Sequence, residues 1–293
     1  MIFSFDRCIR YAVDQPDLLT HQRNVLLGLL LALAAAAWAV LVWQHADATM
    51  NMTAPVTLGP RLPLFLVMWV IMMVAMMVPT ATPMILTFHK VQAANRQPRD
   101  AFVSTWVFVA AYLVVWAFAG LAAYVGMQVA EAAIVRAALP PAAVAQVGGA
   151  IIVMAGIYQL TPLKDVCLSK CREPIDFIVT SWRNGATSAL EMGMLHGAYC
   201  LGCCWLLFVI LFPLGIMNLG AMAAVTLIIF AEKTLPWSRL APYATAGVLV
   251  LYGALVITSP QLLPTFQQDG GAAMPADMQD GSAPGSDRLI KRY

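Results

Sequence analysis

Seven stretches of the chain are apolar for long enough to cross a bilayer, given about 20 residues per crossing. They cover residues 24–43, 62–86, 101–126, 142–161, 187–211, 217–235 and 241–259. Backbone polar groups in lipid must be satisfied within their own segment, so each stretch is expected to form a helix. Strands of a membrane barrel would alternate in polarity over about 10 residues, and no such pattern occurs. The expected fold is therefore all-α: a polytopic membrane helix bundle of about seven transmembrane helices over residues 24–260. Charged residues make up 11% of the chain, against roughly 25% in a soluble domain. The net charge of +2 is too small to suggest nucleic acid, and the apolar composition makes the lipid bilayer the main expected partner.

Lys and Arg in the loops set the expected orientation. Arg7, Arg10 and Arg23 precede the first span, and Lys90, Arg96 and Arg99 follow the second. Lys164, Lys170, Arg172 and Arg183 follow the fourth, and Lys233 and Arg239 flank the loop after the sixth. The opposite short loops carry only Arg61 and Arg136. Residues 1–23 are thus expected to be a cytoplasmic N-terminal segment, too polar for a cleavable signal, and the chain to run N-in/C-out. Residues 261–293, rich in Gly, Pro, Asp and Ala, read as a disordered extracytoplasmic tail.

"HGAYCLGCCWLL", residues 196–207, sets one histidine and three cysteines near the middle of the fifth span. On a helical wheel His196, Cys200, Cys203 and Cys204 share one arc of about 100°. Gly193 and Gly197 lie beside that arc, where small residues let a second helix approach. Buried cysteine is often mere packing, but an intramembrane ionisable group is a functional candidate in its own right. "MWVIMMVAMMVPTATPM", residues 68–84, holds six of the seventeen methionines. Met68, Met72, Met73, Met76 and Met77 occupy one half of the second span, with Met72 to Met76 at the depth of Cys200, while Pro79 and Pro83 are expected to kink or end it. Thiolate and thioether together select soft ions, with Cu(I) leading and zinc or iron still open.

Further candidates flank this set. Cys167 and Cys171 in "TPLKDVCLSKCREP" share a helical face among Lys164, Lys170 and Arg172, and cations lower a thiol pKa. They are a candidate cytoplasmic exchange site, or incidental cysteines of an interfacial helix. Glu191, Asn218, Met222 and Glu232 are candidate accessory groups, with a Glu232–Lys233 interfacial charge pair as the plainer reading of the last. No C-x-x-C-H haem attachment site and no P-loop is present. A structural disulfide framework is not expected for thiols on the reducing side or at mid-bilayer.

Four ordered motifs, "MWVIMMVAMMVPTATPM", "YQLTPLKDVCLSKCREP", "HGAYCLGCCWLL" and "GIMNL…AEK", resemble an uncharacterised bacterial domain-of-unknown-function family of predicted metal-binding integral membrane proteins. The resemblance covers about residues 62–236, leaving out the first and last spans and the tail. It implies the membrane fold, a multi-pass place in the bacterial cytoplasmic (inner) membrane and a metal ion, but no reaction. Leu195 stands where the family's pattern carries a basic residue, so a role for that charge does not carry over.

The reading that follows is a membrane protein holding a soft metal, Cu(I) first, for copper handling, transport or delivery to metalloenzyme assembly. The ion would sit between the second, fifth and sixth spans. Cys200, Cys203 and His196 would be its primary ligands, with Cys204 and Met72 or Met76 completing or relaying. A metallochaperone or a membrane protein complex would be the partner. Two alternatives stay open: a membrane thiol-disulfide oxidoreductase using Cys200, Cys203 and Cys204, and a non-catalytic subunit packing a partner helix.

Overall fold

The computed structural model describes residues 16–50, 62–95, 98–181, 187–235 and 240–265. The first fifteen residues, Cys8 among them, and the expected tail beyond residue 265 lie outside the described residues. The described chain forms helices and no strand: α1 (Pro16–Met50), α2 (Leu62–Asn95), α3 (Pro98–Arg136), α4 (Pro141–Tyr158), α5 (Pro162–Arg172) and α6 (Pro174–Ser181). Then come α7 (Ser188–Val209), the short α8 (Leu211–Leu214), α9 (Leu219–Thr234) and α10 (Leu240–Thr258).

Six of these are long and apolar enough to cross a membrane: α1, α2, α3, α4, α7 running on into α8, and α10. The expected sixth span forms α9, of 16 residues, short of the about 20 that a crossing takes. Both of its ends have local causes. Asn218 caps the start, its side-chain oxygen accepting the Ala221 N–H at 3.1 Å. The helix stops at Thr234, two residues before Pro236, which cannot continue it.

α2 does not end at its prolines. Pro79 has no N–H to offer the Ala75 carbonyl four residues back. The indole N–H of Trp38 on α1 donates to that carbonyl instead, at 3.0 Å. Thr80 and Thr82 add hydroxyl bonds to the carbonyls of Met77 and Val78, and the helix runs on to Asn95.

The packing order is α1 on α2, α2 on α3, and α3 on α7, with α4 paired to α10. α3 and α7 run in the same direction and very close. A Cβ added at Gly193 would come 2.8 Å from the Ala111 side chain, and one at Gly197 would come 2.9 Å from Val115. Only glycine allows that approach.

α4 stops short. Its Gly148 lies against Pro213, and at its other end the Tyr158 hydroxyl donates to the Gly202 carbonyl at 2.5 Å, near the middle of α7. Thr161 and Pro162 then begin α5, with the Thr161 hydroxyl oxygen accepting the Lys164 N–H. The stretch read as a cytoplasmic exchange site or an interfacial helix therefore folds inward. α5 and α6 lie beside α7 from Gly202 to His196, with Leu168 and Phe177 buried.

Candidate metal centre

Ser188, Met192, His196, Cys200 and Cys204 follow one another at four-residue steps along the buried face of α7, with Cys203 beside them. Cys203 and Cys204 each donate through sulfur to the Cys200 carbonyl, at 3.1 and 2.8 Å, satisfying their thiols within the helix. Cys171 of α5 joins from outside. The sulfurs of Cys171, Cys200 and Cys203 all lie within 4.8 Å of one another. That is about two metal–sulfur bonds of ~2.3 Å, so one ion can touch all three. Every described cysteine is a free thiol.

The surroundings of Cys200 are polar for so buried a place. The Tyr112 hydroxyl lies 3.1 Å from its sulfur. The Lys233 ammonium donates to the same sulfur at 3.1 Å and reaches the Thr80 hydroxyl at 3.4 Å. A buried ammonium needs a negative partner, and a cysteine becomes one when it binds a metal as thiolate. One residue away, Glu232 pairs with Lys164 at 2.7 Å, both nearly fully buried. The expected Glu232–Lys233 pair does not form: the two side chains take separate partners.

α5 also departs from expectation. None of the three cations beside its thiols is turned to them. Lys164 goes to Glu232, Lys170 to Asp176 at 2.7 Å, and Arg172 to the Leu235 carbonyl at 3.3 Å. Burial pushes the Cys167 thiol up from its ordinary value rather than down. Hydrogen bonding to the Cys200 and Cys203 sulfurs, followed by burial, does the same for Cys171. Cys167 sits outside the three-sulfur group, where a Cβ on Gly202 would come 2.8 Å from its sulfur. Sequence spacing pairs Cys167 with Cys171; the fold brings only Cys171 into the three-sulfur group.

His196 stands one turn from Cys200 on the same buried face, and it is not among the three residues whose ligand atoms all lie within 4.8 Å of one another. Its ring stacks on Tyr112 and Phe108, with centroids 5.6 and 5.9 Å away, and meets the edge of Phe177 at 5.6 Å. It is 1% exposed, and neither nitrogen has a hydrogen-bond partner.

Met72, Met73, Met76 and Met77 are buried in the same core as the three cysteines of α7, and Met68 lies at its edge, taking a bond from Gln44. Val74 and Ala75 on the opposite side of α2 are buried too, so burial alone does not mark the methionine half. Met222 is fully buried in the same core. Asn218 is spent as the cap of α9, and Glu191 is exposed on the side of α7 away from His196.

Spacing leaves Tyr112 and Thr80 unmarked, and marks Lys164 and Lys233 only as a cation beside the thiols and as half of an interfacial pair. Lys164 carried a readable sign. It shares one face of α5 with Leu168 and Cys171, at steps of four and three, which is the face turned inward.

No protein of curated function and no solved structure matches the chain. A family model described as "PpoB2: Copper chaperone" matches residues 66–256, which takes in most of α10 as well as the four motifs. By a match that covers well over half of its length and all three clustered cysteines, the chain belongs to the PpoB2 copper-chaperone family.

Proposed function

We propose that the protein is a copper chaperone of the bacterial inner membrane that carries Cu(I) on Cys171, Cys200 and Cys203. Copper is its cargo, handed on to a metalloenzyme under assembly or to another carrier. The observation that carries the reading is the meeting of three sulfurs from two helices within 4.8 Å, inside a family of copper chaperones. Thiolates suit a soft ion and fit Mg²⁺, Ca²⁺ and Mn²⁺ poorly.

Three thiolates around one Cu(I) carry excess negative charge, and the Lys233 ammonium offsets part of it at 3.1 Å from Cys200. Tyr112 fixes the same sulfur from the α3 side. The apolar outer faces of the helices, with Phe118, Leu227 and Val248 each about two-thirds exposed (66%, 67% and 66%), support a lipid setting. The excess of Lys and Arg in alternate loops supports an N-terminus on the cytoplasmic side.

Anaerobic purification in mild detergent, followed by metal analysis by mass spectrometry, tests the reading. Near-equimolar copper that disappears in Cys200→Ala/Cys203→Ala is the expected result. Copper retained by that double variant would show that the ion sits elsewhere.

A further inference from the structure

His89 is a buried group that the sulfur cluster leaves unused. It lies near the C-terminal end of α2 and is 2% exposed, with Nδ1 3.1 Å from the Thr105 hydroxyl oxygen of α3. That hydroxyl has a single hydrogen, and it is committed to the Ala101 carbonyl at 2.7 Å. Thr105 therefore meets the ring as an acceptor, and Nδ1 carries the proton. An imidazolium would leave a second N–H buried without a partner, at a high cost, so the ring is neutral and Nε2 holds a bare lone pair. Nε2 is buried and has no hydrogen-bond partner. A ring anchored through one nitrogen, with the other bare in a protected interior, is how proteins aim imidazole at a metal.

The register of the helices connects this place to the thiols. Gly193 sits against Phe108 and Ala111, and Gly197 against Tyr112 and Val115. Stepping back along both helices puts Ser188 level with Thr105 and Met192 one turn further on. From there the buried face of α7 offers Met192, His196 and Cys200, each step a rise of about 6 Å. Thioether, imidazole and thiol are all acceptable to a soft ion. The Ser188 hydroxyl and the Gln92 side-chain oxygen, both buried, also lack partners.

We propose that His89 Nε2 is a ligand of a second, weaker Cu(I) site at this end of the bundle, from which copper passes along α7 to the three thiols. The inference rests on the copper reading of the thiol cluster but uses none of its residues as ligands. Its test is an anaerobic Cu(I) titration of the full chain in detergent against a chromogenic Cu(I) chelator. Cys171→Ser/Cys200→Ser/Cys203→Ser should still bind one weaker equivalent, with an imidazole signature in its copper-edge X-ray absorption. Adding His89→Phe should abolish that equivalent. Thr105→Val, which keeps the ligand and removes the side-chain acceptor that aims it beside the Ala101 carbonyl, should weaken it about tenfold. No binding by the triple-serine protein, or binding that survives His89→Phe, would overturn the site. A triple-serine protein that binds as tightly as wild type would overturn the thiol reading instead, and His89→Phe would still decide this one.

Discussion

Two lysines of the same short helix make ion pairs of the same length, and the pairs do different things. Lys164 and Lys170 each stand 2.7 Å from a carboxylate, Glu232 and Asp176 respectively. The first pair is sealed, with side chains 1% and 3% exposed; the second is open, at 32% and 49%. In water an ion pair exchanges one set of good contacts for another and gains little. In the interior each charge depends on its partner, because nothing else there can solvate it. The buried pair joins residues 68 positions apart and clamps α5 to the end of α9. That clamp holds Cys171 against α7, so the sealed pair belongs to the candidate metal centre while the open one belongs to the surface.

Breaking the sealed pair should have the largest effect. Glu232→Ala leaves Lys164 buried without a counter-charge and should destabilise the fold by about 3–5 kcal/mol, read as thermal unfolding in detergent. Removing both charges separates the cost of an orphaned ammonium from the worth of the pair. Lys164→Met/Glu232→Leu should recover most of that loss, since an apolar pair of similar volume often does as well as a buried ion pair. If Glu232→Ala unfolds like the wild type, the pair is not sealed and the comparison fails.

A smaller effect is expected where α5 meets α7. Gly202→Ala puts a methyl 2.8 Å from the Cys167 sulfur, and overpacking of this kind costs about 1–3 kcal/mol. It should also weaken copper binding, because the same helix carries Cys171; copper affinity unchanged at lower stability would uncouple α5 from the site. The smallest effect belongs to the open pair. Lys170→Ala should leave the thermal midpoint and its salt dependence where they are, and a clear drop in either would break the contrast between the two lysines.

Much of the helical layout is readable from the sequence because apolar length and backbone satisfaction leave few choices. The face shared by His196, Cys200, Cys203 and Cys204 is equally readable, since it depends only on spacing within one helix. What escapes such reading is contact across distance. Cys171 joins Cys200 because α4 stops level with Gly202 and leaves room for α5 to fold in, which no local pattern states. Lys233 stands beside Glu232 in the chain, yet its partner is a sulfur 33 residues earlier. Pro79 misleads for the same reason: the sequence shows the missing N–H, but not the Trp38 indole that answers it.

Copper is proposed to rest on three sulfurs, with His196 outside their shell. Copper-edge X-ray absorption on protein loaded with one equivalent of Cu(I) tests it most directly. Sulfur scatterers alone are expected, one fewer in Cys171→Ser and the same number in His196→Phe. An imidazole signature that vanishes with His196, or a Cys171→Ser spectrum identical to wild type, would contradict it.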